Sequence, residues 1–472
     1  MLLNRNFLWP GVLLIFASGC TTVSLNAGFS DVSAQVEQRG AGKIVWNSGT
    51  ELDKEAAEKT RSLLKNRLTA DEAVQIALLN NRDLQALYSE LGVAQADLVQ
   101  AGLLNNPIFD AAIKFPNAGG RSNLELSAVW NFLDVFYLPL RKRVAAARFE
   151  EAKLRVTGAV LDFAGQVRRA FYTHQANEQL LELRQTIVKA LTAALEVSRR
   201  LNEAGNITDL DFARDRALAE ASKLALRSSE VAVRQSREQL NDLMGLWGAD
   251  TQWQTDGRLP EIPAEAVRTN DLERLSLERS LDLLHARQRI VAAGEQLGFN
   301  RTTALVPELH AGPLGEREEG GWFVGPTFEF PIPIFDQGQA RVGRAAAELR
   351  RSQQEYYALG VRVRSTARAV RDRMEGARDR ALYYRDILLP LQERIVNESQ
   401  LRYNAMQLGP IPLLLARTQQ IETAVAYVES LRDYWLARSD LEQILNGRLP
   451  KANGVPAAPS GGPMKMNGRE EH

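Results

Sequence analysis

Apolar residues step by threes and fours through Val160, Phe163, Val167 and Phe171, then through Leu180, Leu183, Ile187, Leu191 and Leu195. The step recurs at Val342, Ala346, Leu349, Tyr356, Leu359, Val363, Ala367, Val370, Met374, Ala377 and Ala381. A stripe sustained over so many turns predicts long coiled-coil helices. No proline falls between Pro139 and Pro260, so nothing forbids one helix from Pro139 to Glu203, about 100 Å long at about 1.5 Å per residue. Pro390 should kink the matching helix later in the chain. Shorter stretches alternate instead. In 123–132, Leu124, Leu126, Ala128, Trp130 and Phe132 alternate with Asn123, Glu125, Ser127 and Asn131. In 108–115, Phe109, Ala111, Ile113 and Phe115 alternate with Asp110 and Lys114. Period two predicts strands with one apolar and one polar face, about the length that crosses a bilayer when tilted. Two later strands are less regular: Leu309 and Ala311 oppose Glu308 and His310, and Trp322, Val324, Phe328 and Phe330 oppose Thr327 and Glu329. Pro326 weakens the last of them.

These elements occur twice, near 200 residues apart. Asp83-Leu84, Ala94, Leu98 and Pro107 answer Asp282-Leu283, Ala293, Leu297 and Pro307, and Leu243-Met244-Gly245 answers Leu445-Asn446-Gly447. The chain divides into a signal segment (1–19), an N-terminal segment (20–67), a first repeat (68–246), a connector (247–271), a second repeat (272–447) and a Pro/Gly/Ser-rich tail (448–472) predicted to be disordered. Each repeat reads as one helix (about 70–104, then 272–303), two strands and a long helical hairpin. Gly205 and Gly409 are expected to let the two hairpins reverse, with Thr208 or Asp209 capping the helix after the first turn. Gly409-Pro410-Ile411-Pro412 is expected to break the second hairpin. Four strands cannot close a barrel and would leave bare edges in lipid, so the consistent solution is a barrel shared among several chains.

Composition narrows the function classes. The 58 basic and 58 acidic residues balance, which leaves no electrostatic footprint for nucleic acid. No stretch reaches the roughly 20 apolar residues of a spanning helix. The lone cysteine, Cys20, follows Asn4-Arg5, an apolar run from Phe7 to Phe16 and the small residues Ala17-Ser18-Gly19. That order reads as a secretory signal, and small residues before Cys resemble the lipobox of bacterial lipoproteins, although Ala17 stands where leucine is usual. The resemblance implies acylation at Cys20, and Thr21 after it favours the outer membrane; a plain signal peptide with an incidental cysteine is the alternative. No enzyme constellation appears. His174, His285, His310 and His472 lack metal-ligand spacing, and no Walker loop, dinucleotide fingerprint or nucleophile elbow is present. His174 sits on the apolar stripe and is expected to be packed. The expectation is therefore no catalytic residue, no metal and no cofactor.

Leu68-Thr69-Ala70-Asp71-Glu72-Ala73 followed by Ala77-Leu78-Leu79-Asn80-Asn81 resembles the opening of TolC-type outer-membrane efflux proteins. Phe330-Pro331-Ile332-Pro333-Ile334-Phe335-Asp336-Gln337-Gly338 resembles that family's strand-to-helix junction, and the hairpins at 204–213 and 408–417 resemble its periplasmic tips. The resemblance spans about 68–447. It implies a mainly α chain with a membrane β-barrel: a homotrimer whose twelve strands, four per chain, continue into an α-helical barrel in the periplasm. It also implies docking to a periplasmic adaptor and an inner-membrane transporter, and a lipid-anchored place in the bacterial outer membrane. Asp110, Lys114, Glu125, Glu308, His310 and Glu329 are then the expected pore-lining strand residues, with Phe109, Leu126 and Phe132 facing lipid. Gly205, Thr208, Asp209, Asp211, Gly409 and Leu413 mark the expected adaptor and gating tips. Some members carry an acidic ring beyond the second hairpin; here Leu413-Leu414-Leu415 stands there, while Asp209, Asp211 and Asp215 follow the first. The alternative is a periplasmic coiled-coil scaffold lipoprotein without a pore.

Overall fold

The structure, a computed structural model, describes residues 23–24, 26–47, 49, 51–115, 122–265, 271–318 and 321–450. The signal segment, Cys20 and almost all of the tail lie outside the described residues. Two helices open the chain, α1 (Phe29–Gln38) and α2 (Glu51–Leu64). A short strand β1 (Arg67–Leu68) follows, and it pairs in parallel with β4 (Gln254–Thr255) from the connector. The first repeat then runs α3 (Ala70–Asn80), α4 (Arg82–Ala101), β2 (Ile108–Lys114), β3 (Asn123–Asn131), α5 (Asp134–Glu203) and α6 (Asp209–Met244). The second runs α7 (Leu272–Arg279), α8 (Leu281–Thr302), β5 (His310–Glu318), β6 (Gly321–Glu329), α9 (Gln339–Tyr383), α10 (Leu389–Asn404) and α11 (Pro410–Leu445).

Two expected single helices are in fact pairs. Asn81 leaves the helical region at φ −66, ψ 128, and its side chain accepts from the N–H groups of Asp83 and Leu84, so it ends α3 and caps α4. Ser280 does the same between α7 and α8, accepting from Leu283 N–H. A short polar side chain that caps its own backbone competes with a continuous helix, and here it wins. α3 itself starts on a capping box in which Thr69 and Glu72 satisfy each other's N–H groups.

The expected long helix is present and starts earlier, at Asp134. Its 70 residues span about 105 Å, with Pro139 inside its second turn. The second repeat's counterpart is interrupted: a π-helical turn over Tyr384–Leu388 joins α9 to α10 just ahead of Pro390. Proline cannot donate to the ladder, and a widened turn accommodates the loss.

The core is strung along α5 instead of gathered at one centre. Val156, Val160, Val167 and Phe171 pack with α3, α4 and α6. Farther along, Ala176 joins a cluster built from α9, α11 and the connector's Leu259 and Ile262. Ile187 and Leu191 then meet Ala219, Ile421 and Val425 near the hairpin ends. A buried polar junction ties the repeats together. Arg448 Nη2 lies 2.5 Å from Asp162 Oδ2 on α5, and its Nη1 pairs with Asp282 on α8. Gln443 Nε2 donates to Asp162 at 3.0 Å. Arg39, from the N-terminal segment, donates to the carbonyls of Arg279 and Asn446 and so caps the ends of α7 and α11.

Candidate functional site

Four strands form one antiparallel sheet in the order β2-β3-β5-β6. Its register decides which side chains share a face. Phe109 stands opposite Ala128, Ala111 opposite Leu126, Trp130 opposite Ala311, and Ala311 opposite Phe328. These residues, with Val324 and Trp322, make one side apolar apart from Arg317 at the end away from the helices, and much of it is bare: Phe109 is 70% exposed and Val324 76%. The other side carries Asp110, Lys114, Glu125, His310 and Glu329. Lys114 Nζ lies 2.7 Å from Glu125 Oε2, and Glu329 is the register partner of His310. Of the six strand residues read as lining residues, Glu308 departs. It precedes β5, with Oε2 3.4 Å from His310 Nε2. Glu316 was missed; it faces Glu125 across the β3–β5 ladder, and strict alternation counted back from Glu318 would have found it.

Both prolines of the later strands meet in one pair, Pro313 with Pro326. The β3–β5 register runs from Leu124–Arg317 to Ser127–Leu314 and resumes at Trp130–Ala311. The gap falls at Pro313, which has no N–H to give β3. Pro326 lies on β6, an edge strand, where proline is tolerated.

At the far end of the helices, the two hairpin turns share one backbone design. Gly205 N–H bonds Asn202 O at 2.9 Å and Asn206 N–H bonds Leu201 O at 2.8 Å; Met406 and Gln407 repeat this with Tyr403 and Arg402. Each is a Schellman closure with its left-handed residue at φ 73 for Gly205 and φ 58 for Met406. The expectation for Gly409 is therefore corrected. It sits at φ −71, ψ 166 as the residue before α11, a conformation open to any side chain. Pro410 is the first residue of α11, where its missing N–H has no partner to lose, so the prolines begin a helix and do not break one.

The first tip is held by its own polar groups. Thr208, not Asp209, is the cap: its Oγ1 accepts Asp211 N–H at 3.1 Å and donates to Asp211 Oδ2 at 2.7 Å. Asn202 Nδ2 donates to Asp209 Oδ1 at 3.0 Å, and Ser198 Oγ donates to Asp215 at 2.5 Å. The second tip has no such set; Leu413 is half-buried and Met406 is 95% exposed. Between the hairpins a groove of about 460 Å³ is lined by Leu191, Leu218, Ala225, Leu415 and Thr418, and Arg184 Nη1 pairs with Glu422 Oε1 at 2.6 Å beside it.

His174 is fully buried. Its Nδ1 is 2.8 Å from Ser236 Oγ, its ring packs edge-on against Trp253, and its Nε2 is 3.5 Å from Glu178 Oε1. Burial pushes the Glu178 carboxyl up, but His174, the Thr255 hydroxyl and the Arg237 charge outweigh it and leave the group below its usual range. Among the described residues no three His, Cys, Asp or Glu side chains gather where they could hold a metal.

No protein-family model matches the chain. It is 22% identical over 387 residues to the cobalt-zinc-cadmium resistance protein CzcC of Cupriavidus metallidurans, covering 80% of this chain and 90% of that one. It is 23% identical over 373 residues to the antibiotic efflux pump outer membrane protein ArpC of Pseudomonas putida, covering 72% of this chain and 74% of that one. Among solved structures it resembles the Campylobacter jejuni CmeC outer membrane channel, with a TM-score of 0.62 at 15% identity over 88% of this chain and 93% of the other.

Proposed function

We propose that this chain, whose fold is that of the TolC-type outer-membrane channels and whose relatives include efflux pump outer membrane proteins, is the outer-membrane channel subunit of a tripartite efflux system. It passes small molecules or ions from the periplasm to the exterior. The observation that carries this reading is the sheet. It has one apolar face, one charged face and two unpaired edges, β2 and β6, and its strand β3 leads directly into a helix about 105 Å long. The four strands alternate in direction, so β6 of one chain meets β2 of the next antiparallel. Rotation about a common axis then closes a barrel with no edge left in lipid. Three copies give twelve strands, within the range of roughly 8 to 26 that outer-membrane barrels span.

The hairpin tips, farthest from the membrane, are where a periplasmic adaptor and an inner-membrane transporter would be met. Gly205, Thr208, Asp209 and Asp211 form one tip and Met406 to Leu413 the other. Cys20 is the proposed lipid attachment point; a single acyl chain gives marginal binding, so it assists insertion and does not by itself hold the assembly. The relatives' names run from metal ions to antibiotics and toluene, so the cargo is set elsewhere in the pump.

Light scattering of the full chain purified in detergent tests the reading. A mass three times that of the chain is expected. A stable monomer would contradict the shared barrel and favour a scaffold without a pore.

A further inference from the structure

The sheet's apolar face does not stop at the last strand residue. Phe132 N–H bonds Leu309 O at 2.8 Å, so the ladder register reaches Phe132 and puts it on the same side as Trp130. Phe132 packs against Phe136 in the first turn of α5, ring centroids 6.2 Å apart. At about 100° per residue, Val135, Phe136, Pro139, Lys142 and Arg143 all fall within about 60° of Pro139 on the helix surface. The opposite side of α5 faces its neighbours: Arg141, Val144 and Arg148 line a groove against α4 and α8. One exposed face of α5 therefore continues the membrane-facing side of the sheet, and along it aromatic residues give way to two adjacent cations.

The spacing of that change matters. Phe136 and Lys142 are six residues apart, about 9 Å along the helix. With the phenylalanines at the hydrocarbon edge, the backbone of Lys142 and Arg143 lies just past a headgroup layer about 5–8 Å deep, and their long side chains, leaning toward the helix N-terminus, bring the charges back into it. Both cations are exposed, and among the described residues no carboxylate lies within ion-pair distance of either. The flanking acids of α5 are already used. Asp134 is buried against Arg141 at 3.3 Å, and Glu150 and Asp31 both pair with Lys153, at 2.9 and 2.7 Å, farther down the same face.

We infer that Lys142 and Arg143 form a phosphate-binding step that takes the headgroups of anionic phospholipids in the inner leaflet of the outer membrane. This rests on the channel reading above. In a trimer six cations ring the assembly just below the aromatic edge. They fix its depth, and they draw anionic lipid to the rim where sheet becomes helix. Unpaired cations next to an apolar band attract an anionic surface without needing a shaped pocket, and each contributes independently. Lys142 also complements the helix dipole of α4, since its stem lies beside Gly102 at the carboxyl end of that helix. That role would affect stability and not lipid choice.

The test uses the full chain in mixed micelles of phosphatidylethanolamine with or without phosphatidylglycerol, with bound lipid counted by native mass spectrometry. The wild-type assembly should retain phosphatidylglycerol preferentially, and the preference should fall as salt is raised from about 0.1 to about 0.5 M. Lys142→Gln/Arg143→Gln should lower it by at least about fivefold per cation removed. Arg214→Gln at the distant tip should leave it unchanged. Equal retention of the two lipids by the wild type, a preference insensitive to salt, or an undiminished preference in the double variant would each overturn the inference. Conductance in phosphatidylethanolamine-only bilayers is read in parallel on both proteins. A loss there indicts the channel reading, whereas normal conductance with no lipid preference indicts only the lipid step.

Discussion

Gly205 and Met406 occupy the same left-handed position in two copies of one turn, and they do so at different cost. Glycine has no Cβ to clash there, whereas a side chain costs about 1–2 kcal/mol. Gly205→Val should therefore lose about 1–2 kcal/mol in thermal unfolding of the detergent-solubilised protein. Gly409→Val should lose almost nothing, because the backbone there is extended and the nearest atom to an added Cβ is Pro412 Cδ at 3.8 Å. A comparable loss in both variants would contradict the assignment of the turn to Met406. Nothing in the sequence betrays that assignment, since methionine carries no conformational signature, and the neighbouring glycine and prolines draw attention away from it.

Glu178 supplies a residue-scale test by pH. Its folded-state value is lowered, so its contribution is present above the unfolded value near 4.5 and fades as pH falls through the lower folded value. Melting temperatures of wild type and Glu178→Gln should differ near pH 6 and draw together as pH falls below 4.5. A gap that widens on acidification would show that the sign is wrong.

At the scale of elements, the strands were readable and the helix breaks were not. Period-two alternation in 108–115 and 123–132 placed Asp110, Lys114 and Glu125 on one face and Phe109 and Leu126 on the other, as the register has them. Asn81 and Ser280, by contrast, look like ordinary surface positions in a helical pattern, and only their side-chain bonds to the following N–H groups make them caps. The junction around Arg448 was equally hidden. Asp162 and Asp282 are far apart in sequence and meet only because α5, α8 and the end of α11 converge. Replacing Arg448 with Met leaves two largely buried carboxylates without their cation and should cost about 3–5 kcal/mol, read as a lowered midpoint of chemical unfolding. A change under about 1 kcal/mol would mean that the pairs behave like surface salt bridges.

As a single chain the molecule leaves two sheet edges, β2 and β6, unpaired. Its long helices bury a stripe on their neighbours, yet its sheet presents bare edges and a bare apolar face, and in the proposed assembly one step, closure with further copies inside a bilayer, would cover both. The element order runs twice through helices, two strands and a long hairpin, so in the proposed assembly one chain would contribute twice to the wall. The asymmetry between repeats then separates two tips, one polar and held by Thr208, Asp209 and Asp211, the other apolar and reached through the π-helical turn before Pro390.

The most direct test of that closure is a disulfide between the two sheet edges. Within one chain β2 and β6 are three strand spacings apart, about 14 Å, well beyond the roughly 7 Å that a disulfide can bridge. Any bond between them must therefore join two chains. Ala112→Cys on β2, combined in turn with Phe323→Cys, Gly325→Cys or Thr327→Cys on β6, should give covalent dimer and trimer on a denaturing gel after oxidation in the membrane. Trimer should be the largest species, and variants carrying only one of the two substitutions should show none of it. Membrane-inserted protein that stays monomeric for every pair would contradict the shared barrel.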